Sequence, residues 1–341
     1  MKLIKATVLV SLALVLLLAP VAAMAGETLD AVKARGYLSV GVNGGLFGFG
    51  MPDEKGVWRG LDVDTGRAIA AAIFGDPEKI KYVTLTTQTR FTAVQSKEVD
   101  VLCRNATRTL TRDTDLGLNF AQVNYYDGQG FLVPKKLGVK SAKELKGASV
   151  CVLPGTTTEQ NVADYFRANN LNMKPVVIEQ NIELNKAFFA GRCDVLTSDA
   201  SQLAGIRAVA PNPGDYVVLP EIISKEPLAP VVRHGDEQWY DIVNYSVLAM
   251  IAAEDMGINS KNVDEMLKSK DPNIQRFLGV TPGNGKALGL DEKWAYNIIK
   301  KVGNYGEIFE ANVGEKTKLG LKRGLNAQWK DGGLMYSPPF K

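Results

Sequence analysis

Short apolar runs alternate with longer amphipathic stretches over the first two thirds of the chain. Apolar runs that predict β-strands lie at 38–42, 80–85, 99–102, 149–153, 175–178, 195–197 and 216–219. Stretches that predict helices lie at 62–74, 91–96, 156–168, 183–190 and 200–208. We expect Asp62 or Asp64 to cap the first of these helices. Strands that alternate with helices favour a parallel sheet with helices on its faces, so the sequence predicts an α/β fold.

Two segments of the chain resemble each other. Each of them, 93–102 and 187–196, combines a helix end, a tight turn and the tripeptide Asp-Val-Leu. Asn105 and Asp199 each follow the Asp of this tripeptide by five residues. If the two halves are similar α/β domains, these residues occupy matching strand ends. Ligands of open α/β sheets bind beyond the carboxyl ends of strands, so two facing edges would form a cleft. Chance similarity between short segments is the alternative.

Three polar turns lie at the predicted ends of strands, and their residue types suit the two ends of a zwitterion. The first, 103–107, leads to Arg112; the second is 155–159; the third, 197–199, ends at Asp199. An arginine can hold a carboxylate through two parallel hydrogen bonds, and an aspartate can accept from an ammonium group. A surface arginine paired with a neighbouring aspartate, and a plain helix cap at Asp199, are the alternative interpretations.

The second of these turns has the spacing of a capping box, with Thr156 as the cap and Glu159 three residues later. The preceding strand and Gly155 bring this helix start to the edge of the predicted sheet. Free N–H groups and the helix dipole favour an anion there. Helix capping alone would also explain the residues.

Few residues indicate an enzyme or a metal site. His234 is the only histidine, which excludes a metal site built on several histidines. The chain contains no Walker loop, no metalloprotease motif and no nucleophile elbow. The glycine-rich segment 44–50 carries Phe47 and Phe49 without dinucleotide-binding spacing, and we interpret it as a flexible cleft wall or an ordinary glycine turn. We therefore expect no cofactor and no metal.

The first 25 residues are typical of a secretory signal peptide. Lys2 and Lys5 precede an apolar run from Val8 to Leu18, and cleavage is expected after Ala25. The sequence therefore predicts export to the periplasm.

Length and charge set two further expectations. The chain has 341 residues, and two domains are expected because one core usually stops growing at about 250–300 residues. From residue 237 onward the pattern is mostly helical, with breaks near Pro272, Pro282 and Gly303. The net charge is +3 and the basic residues are interspersed with acidic ones, so we expect no nucleic-acid partner.

Three cysteines occur in the chain. Cys151 and Cys193 each belong to an apolar run, and an oxidising compartment favours a disulfide between them. Cys103 would then remain a small buried thiol. Three free buried thiols are the alternative.

Several segments together resemble the polar amino-acid binding proteins of bacterial ABC importers, solute-binding protein family 3, and within it the subgroup that binds L-amino acids broadly. These segments are 60–64, 90–96, 125–130, 155–159, 221–228, 302–310 and 323–326. The resemblance covers essentially the whole chain after residue 25.

The resemblance implies a type II periplasmic-binding-protein fold, in which two α/β lobes are joined by two hinge crossovers. Residues 125–133 and 227–233 are the expected crossings. Lobe 1 would comprise 26–128 and 231–341, and lobe 2 would be the insertion 129–230. The implied function is a monomeric, non-enzymatic receptor for an L-amino acid that docks on a membrane permease. A cyclohexadienyl dehydratase on the same fold, with Asp199 or Glu159 as general acid, and a sensory domain are the alternatives.

The resemblance also implies roles for individual residues. Arg112 would hold the ligand carboxylate, Asp199 the α-ammonium group, and Thr157 with Thr156 would add donors from the opposite lobe. The remaining candidates are polar or aromatic residues near the ligand, namely Asn43, Asn105, Thr107, Arg90, Phe47 and Tyr126.

Overall fold

The computed structural model describes residues 26–341, and the predicted signal peptide at 1–25 lies outside the described residues. The strands are β1 (Leu38–Val42), β2 (Met51–Pro52), β3 (Trp58–Arg59), β4 (Ile80–Thr84), β5 (Val101–Leu102), β6 (Leu118–Phe120), β7 (Tyr125–Asp127), β8 (Gln129–Pro134), β9 (Ser149–Val152), β10 (Lys174–Val177), β11 (Val195–Asp199), β12 (Tyr216–Val218), β13 (Glu226–Leu228) and β14 (Val231–Arg233). The helices are α1 (Glu27–Arg35), α2 (Leu61–Phe74), α3 (Arg90–Gln95), α4 (Leu110–Thr114), α5 (Thr157–Ala168), α6 (Asn181–Phe189), α7 (Ala200–Ala208), α8 (Glu237–Asp255), α9 (Val263–Met266), α10 (Pro272–Phe277), α11 (Asn284–Leu288), α12 (Trp294–Lys301) and α13 (Tyr305–Asn312).

The strands form two five-stranded sheets. The first sheet has the order β4-β1-β5-β14-β6, and the second sheet has the order β10-β9-β11-β8-β12. Along the chain, the strands of the second sheet lie between β6 and β14, which both belong to the first sheet. The second sheet is therefore inserted into the segment that forms the first. The predicted helices and strands are found within a few residues of their expected ends.

Both sheets are mixed: each contains the predicted parallel pairs and antiparallel pairs in addition. In the first sheet β14 runs antiparallel to β5 and β6, and in the second β8 runs antiparallel to β11 and β12. The physical reason lies in the connections, because β7 leads to β8 across Gly128 alone and β13 leads to β14 across two residues. A side chain at Gly128 would place its Cβ 2.3 Å from the Ile222 side chain, so this short connection needs glycine.

A two-stranded ribbon connects the sheets. Strand β13 pairs antiparallel with β7, and Glu226 lies opposite Asp127 in the register. The chain therefore passes from the first sheet to the second through β7 and returns through β13.

The resemblance between the two halves reflects a shared topology. Strands β5 and β11, which contain the repeated Val-Leu, are each the central strand of their sheet. Each pairs in parallel with an earlier strand of its own sheet, since Val101 pairs with Val40 and Val195 with Val150. Asn105 and Asp199 therefore follow or end equivalent strands, as the counting from the two aspartates predicted.

The largest core lies between the first sheet and the helices that follow residue 237. Strand β1 is buried at all five positions because β4 and β5 flank it and α2 and α3 contact it. Helix α12 buries Trp294 and Ile298 against α2 and α8. The helical end of the chain thus extends this core. Within residues 26–341, no helix combines the length and apolar character needed to cross a membrane.

The C-terminal segment also binds the ribbon. Asn326 accepts from the backbone N–H of Tyr126 at 2.7 Å and donates to the carbonyl oxygen of Tyr126 at 3.0 Å. Arg323 holds the adjacent turn through two parallel hydrogen bonds to Glu254, at 2.8 and 3.0 Å. The C-terminal segment therefore fixes β7 to the side of the first sheet.

The cysteines pair as expected. Cys151 and Cys193 form a disulfide with Cα atoms 5.7 Å apart, and Cys103 is a buried free thiol. Burial raises the pKa of Cys103 well above its usual value, so this thiol is poorly reactive.

Candidate functional site

A cavity lies between the two sheets, at the ends of their central strands. Only about 20 Å³ of it is free for a water-sized molecule. Most of the predicted ligand-binding residues line it, namely Asn43, Arg90, Asn105, Thr107, Thr156, Thr157 and Asp199. The structure therefore brings the three polar turns to one place.

A buried aspartate holds the backbone of the first polar turn in place. Asn105 has a φ of 35°, a left-handed conformation that asparagine tolerates better than most residues. Its backbone N–H donates to the carboxylate of Asp62 at 2.9 Å. Asp62 therefore positions the turn, and the expectation that Asp62 or Asp64 caps helix α2 is wrong because the cap position is Gly60. Burial raises the pKa of Asp62 to about 6.

Arg112 is buried, with 8% of its surface exposed. Its guanidinium donates to the carbonyl oxygen of Thr107 at 2.8 Å and lies 5.0 Å from the ring centre of Phe91. The interpretation of Arg112 as a surface residue paired with a neighbouring aspartate is wrong, because Arg108 pairs with Asp113 instead. Arg112 is not among the lining residues, and its predicted contact with a ligand carboxylate stays a prediction.

The side chains of the second polar turn make several different contacts. Thr156 caps α5 by accepting from the backbone N–H of Glu159 at 3.1 Å. The carboxylate of Glu159 accepts from Gly155 N–H at 2.8 Å, one residue before the position that a capping box requires. The hydroxyl of Thr157 donates to Glu226 at 2.9 Å. The hydroxyl of Thr156 is thus engaged in capping, while Thr157 is directed between the sheets.

Asp199 is buried and does not cap α7 with its side chain, so the plain-cap interpretation is wrong. Its carboxylate accepts from the side-chain amide of Gln202. Burial raises the pKa of Asp199 well above its usual value, and the nearby carboxylates of Asp127 and Glu226 raise it further. A cation beside these three acids would stabilise their charged forms.

Glu226 is a site residue that the sequence did not reveal. It is 1% exposed and accepts four hydrogen bonds from side chains. These come from Thr107 at 2.6 Å, Thr157 at 2.9 Å, Asn161 at 2.8 Å and Ser224 at 2.6 Å. Glu226 therefore connects the ribbon to the first polar turn on one side and to helix α5 on the other. The one sequence signal was an acidic residue that opens the apolar run 227–232.

We expect Glu226→Gln to lower the free energy of unfolding by about 1–3 kcal/mol, because an amide nitrogen would face two donors that the carboxylate now satisfies. Urea denaturation followed by circular dichroism measures this change. Glu315→Gln is the matched control, since Glu315 is exposed and makes no side-chain hydrogen bond in the described chain. Equal stability of the two variants would show that Glu226 is not a structural connector.

Segments that belong to the first sheet contact segments of the second sheet across the cavity. A Cβ atom on Gly45 would lie 2.8 Å from the side chain of Ile182, so the glycine loop lies directly against helix α6. The hydroxyls of Thr107 and Thr157 are 3.4 Å apart. The cavity is therefore narrow and closely walled.

Besides Arg112, two further predicted residues do not line the cavity. Phe47 and Tyr126 pack against the core of the first sheet, and the backbone of Tyr126 is held by Asn326. Phe49, the other aromatic of the glycine loop, is fully buried and lies 5.2 Å from the ring of Tyr125. The aromatic residues of this region therefore support the scaffold. Among residues 26–341, no cluster of histidine, cysteine, aspartate and glutamate side chains could hold a metal ion.

The sequence profile of the bacterial extracellular solute-binding proteins, family 3, matches residues 38–261. The chain belongs to this family. The matched range contains both sheets, the ribbon and every residue that lines the cavity.

Individual relatives resemble the chain over nearly its whole length. It is 58% identical over 320 residues to the glutamate/glutamine/aspartate/asparagine-binding protein BztA of Rhodobacter capsulatus, across 94% of this chain and 95% of that protein. It is 55% identical over 321 residues to the general L-amino acid-binding periplasmic protein AapJ of Rhizobium johnstonii, across 94% of each.

Solved structures have the same fold. An ABC transporter periplasmic binding protein from Brucella ovis with glutathione bound has a TM-score of 0.91 and 55% identity, across 92% of this chain and 99% of that chain. A cysteine-binding protein from Campylobacter jejuni has a TM-score of 0.60 and 28% identity, across 73% and 97%. These matches confirm the predicted type II periplasmic-binding-protein fold.

Proposed function

We propose that the protein is the periplasmic substrate-binding component of an amino-acid ABC importer and that it binds L-amino acids as zwitterions. One observation carries this proposal. A buried aspartate, Asp199, lines the cavity from the second sheet, and a buried arginine, Arg112, donates to the backbone of Thr107, which lines the cavity from the first. Burial lowers the pKa of Arg112, and the negative charges of Glu226 and Asp199 raise it in part. The arginine therefore interacts electrostatically with both acids.

In this proposal the ligand closes the protein. Residues 26–128 with 231–341 form one lobe, residues 129–230 form the other, and β7 with β13 is the hinge. Arg112 holds the α-carboxylate from the first lobe, and Asp199 holds the α-ammonium group from the second. A zwitterion satisfies both only when the lobes are together, which gives it a higher affinity for the closed state. The closed, monomeric receptor then docks on a membrane permease.

The relatives support amino acids as the ligand class. BztA is named for four amino acids with acidic or amide side chains, and AapJ is named for L-amino acids in general. The Brucella ovis protein is described with glutathione bound, which contains a free amino-acid end. All of these ligands carry an α-carboxylate and an α-ammonium group. One arginine and one aspartate can therefore bind the common end of each.

The same site argues against a dehydratase. A general acid needs a free carboxyl group within reach of substrate. The carboxylate of Glu159 accepts from the Gly155 backbone and stabilises the helix start. In our proposal the carboxylate of Asp199 is the partner of the ligand ammonium group. In our proposal the protein is a receptor without enzymatic activity.

Thermal denaturation of the chain 26–341, freed of bound ligand by unfolding and refolding, tests this proposal. We expect several L-amino acids to raise the melting temperature, since a ligand at 100 times its Kd stabilises by about 2.7 kcal/mol. L-leucine and 3-methylbutylamine form a matched pair, because the amine lacks the carboxylate that Arg112 would hold. Prephenate and arogenate are included, and their aromatisation is followed by absorbance. Turnover of either, or no response to any L-amino acid, would contradict the proposal.

A further inference from the structure

A loop that follows helix α13, residues 313–321, is attached firmly to the helices that cover the first sheet. The backbone N–H of Leu321 donates to the carbonyl oxygen of Val313 at 3.1 Å and closes the loop at its base. Asn312, directly before the loop, donates to the carboxylate of Asp64 on α2 at 2.7 Å. The loop therefore has a defined conformation and moves together with the first sheet.

Leu319 is the residue of this loop that reaches the other half of the protein. It is 8% exposed, and its backbone N–H donates to the hydroxyl of Thr317 at 3.2 Å. A Cβ atom on Gly48 of the glycine loop would lie 2.9 Å from the Leu319 side chain, and a Cβ atom on Gly205 of α7 would lie 3.8 Å from it. Leu319 thus lies between the glycine loop and a helix that packs on the second sheet.

Helix α7 approaches the glycine loop closely at the same point. A Cβ atom on Gly205 would lie 3.0 Å from the carbonyl oxygen of Phe47, which is closer than an ordinary van der Waals contact. Gln202, which lines the cavity, precedes Gly205 by three residues and therefore lies on the same face of α7. Leu319 and Phe47 do not line the cavity. They contact α7 one helical turn beyond it.

Neither sheet needs this loop for its own completion. All strands of both sheets lie within 38–233, and the family match ends at residue 261, so the loop lies outside both ranges. A loop that moves with the first sheet can contact α7 only while the two lobes are together. When the hinge opens, Leu319 loses its apolar contact with α7, and the closed arrangement is therefore favoured by that contact.

We propose that Leu319 is an interlobe latch, a positioning residue that stabilises the closed arrangement and raises the affinity for every L-amino acid by the same factor. The inference rests on the proposed function, because closure around the ligand is part of it. The contact between Leu319 and α7 adds the same free energy to closure whichever ligand is bound. Gly205 completes the latch, because the absence of a side chain lets α7 reach the carbonyl group of Phe47.

Isothermal titration calorimetry with L-glutamate and L-glutamine tests the latch in the wild type, Leu319→Ala and Leu319→Met. We expect Leu319→Ala to weaken the binding of both ligands by the same factor, about 3- to 10-fold, because it removes apolar contacts that only the closed arrangement makes. Leu319→Met nearly keeps the side-chain volume and is expected to restore the affinity. A variant that was merely less stable would bind with a lower stoichiometry and an unchanged Kd.

The rate of ligand release gives a second measurement on the same variants. The latch acts after the ligand has entered, so Leu319→Ala is expected to raise the dissociation rate constant and to leave the association rate constant unchanged. Exchange of bound radiolabelled L-glutamate for unlabelled L-glutamate gives the dissociation rate constant. An unchanged dissociation rate constant would contradict the latch.

Gly205→Ala tests the latch from the second lobe. Alanine is a better helix former than glycine, so the melting temperature of the ligand-free protein is not expected to fall. The added Cβ atom moves α7 away from Phe47, and we expect both ligands to bind about 3-fold or more weakly. Gly214→Ala is the matched control, because Gly214 is an exposed glycine of the same lobe with open space around its Cβ position.

The outcomes separate the two proposals. If the wild type binds neither amino acid, the proposed function fails. If the wild type binds them and both Leu319→Ala and Gly205→Ala keep its affinity, the function stands and the latch is refuted. A loss confined to one of the two ligands, or one that Leu319→Met does not restore, also refutes the latch. If Leu319→Ala does not fold, Gly205→Ala decides by itself.

Discussion

Arg112→Ala is expected to weaken the binding of L-glutamate and L-glutamine alike by about 30- to 5,000-fold, which corresponds to roughly 2–5 kcal/mol. The variant leaves the α-carboxylate of the ligand buried without its charged partner. The loss is common to all L-amino acids because each presents the same carboxylate. Calorimetric titration of the ligand-free protein measures it directly.

Arg108→Ala is the matched control for Arg112. Both arginines lie within five residues of Thr107, but Arg108 is exposed and paired with Asp113 across 3.2 Å. We expect its replacement to leave affinity unchanged, because exposed ion pairs contribute at most about 1 kcal/mol. If both variants bind normally, Arg112 is not the carboxylate ligand. If both lose binding equally, the effect lies in the fold of this segment.

Removal of the disulfide is the second large effect. The double variant Cys151→Ala/Cys193→Ala is expected to lower the free energy of unfolding by about 4 kcal/mol, because the bond closes a loop between residues 42 positions apart. Chemical denaturation of the variant and of the wild type, with and without reductant, measures the change. Cys103→Ala is the control, since Cys103 is buried but closes no loop.

Tryptophan fluorescence can show which part of the protein loses stability when the disulfide is removed. All four, Trp58, Trp239, Trp294 and Trp329, lie outside the segment 129–230 that contains the second sheet. Tryptophan fluorescence therefore follows the first sheet and its helices, while circular dichroism follows both sheets. We expect the circular dichroism midpoint to fall by more than the fluorescence midpoint. An unchanged midpoint on both probes would show that the disulfide does not stabilise the native state.

The polar turns were predictable because they combine local signals. A strand followed by hydroxyl-bearing residues at a helix start is one such signal, and it singles out Thr156 and Thr157 in the sequence. The repeated Asp-Val-Leu marked the equivalent strands β5 and β11, and counting along each led to Asn105 and Asp199. Such features depend on neighbours within a few residues, which a single sequence displays.

Contacts between distant segments were not predictable. Glu226 is 119 residues from Thr107 and 69 from Thr157, so nothing local distinguishes it from any acidic residue at a strand start. Asp62 has the appearance of a helix cap, yet it binds the backbone of Asn105, 43 residues away. The mixed sheets have the same origin, since the direction of β8 and β14 depends on how the chain crosses between the sheets.

The two hydrogen bonds between Asn326 and the backbone of Tyr126 have a consequence for solubility. A two-stranded ribbon such as β7–β13 leaves unpaired N–H and C=O groups along its outer edges, and such edges recruit strands from other molecules. The amide of Asn326 satisfies one N–H and one C=O of β7 in the way a neighbouring strand would. That position of the ribbon is therefore not exposed as a template for aggregation.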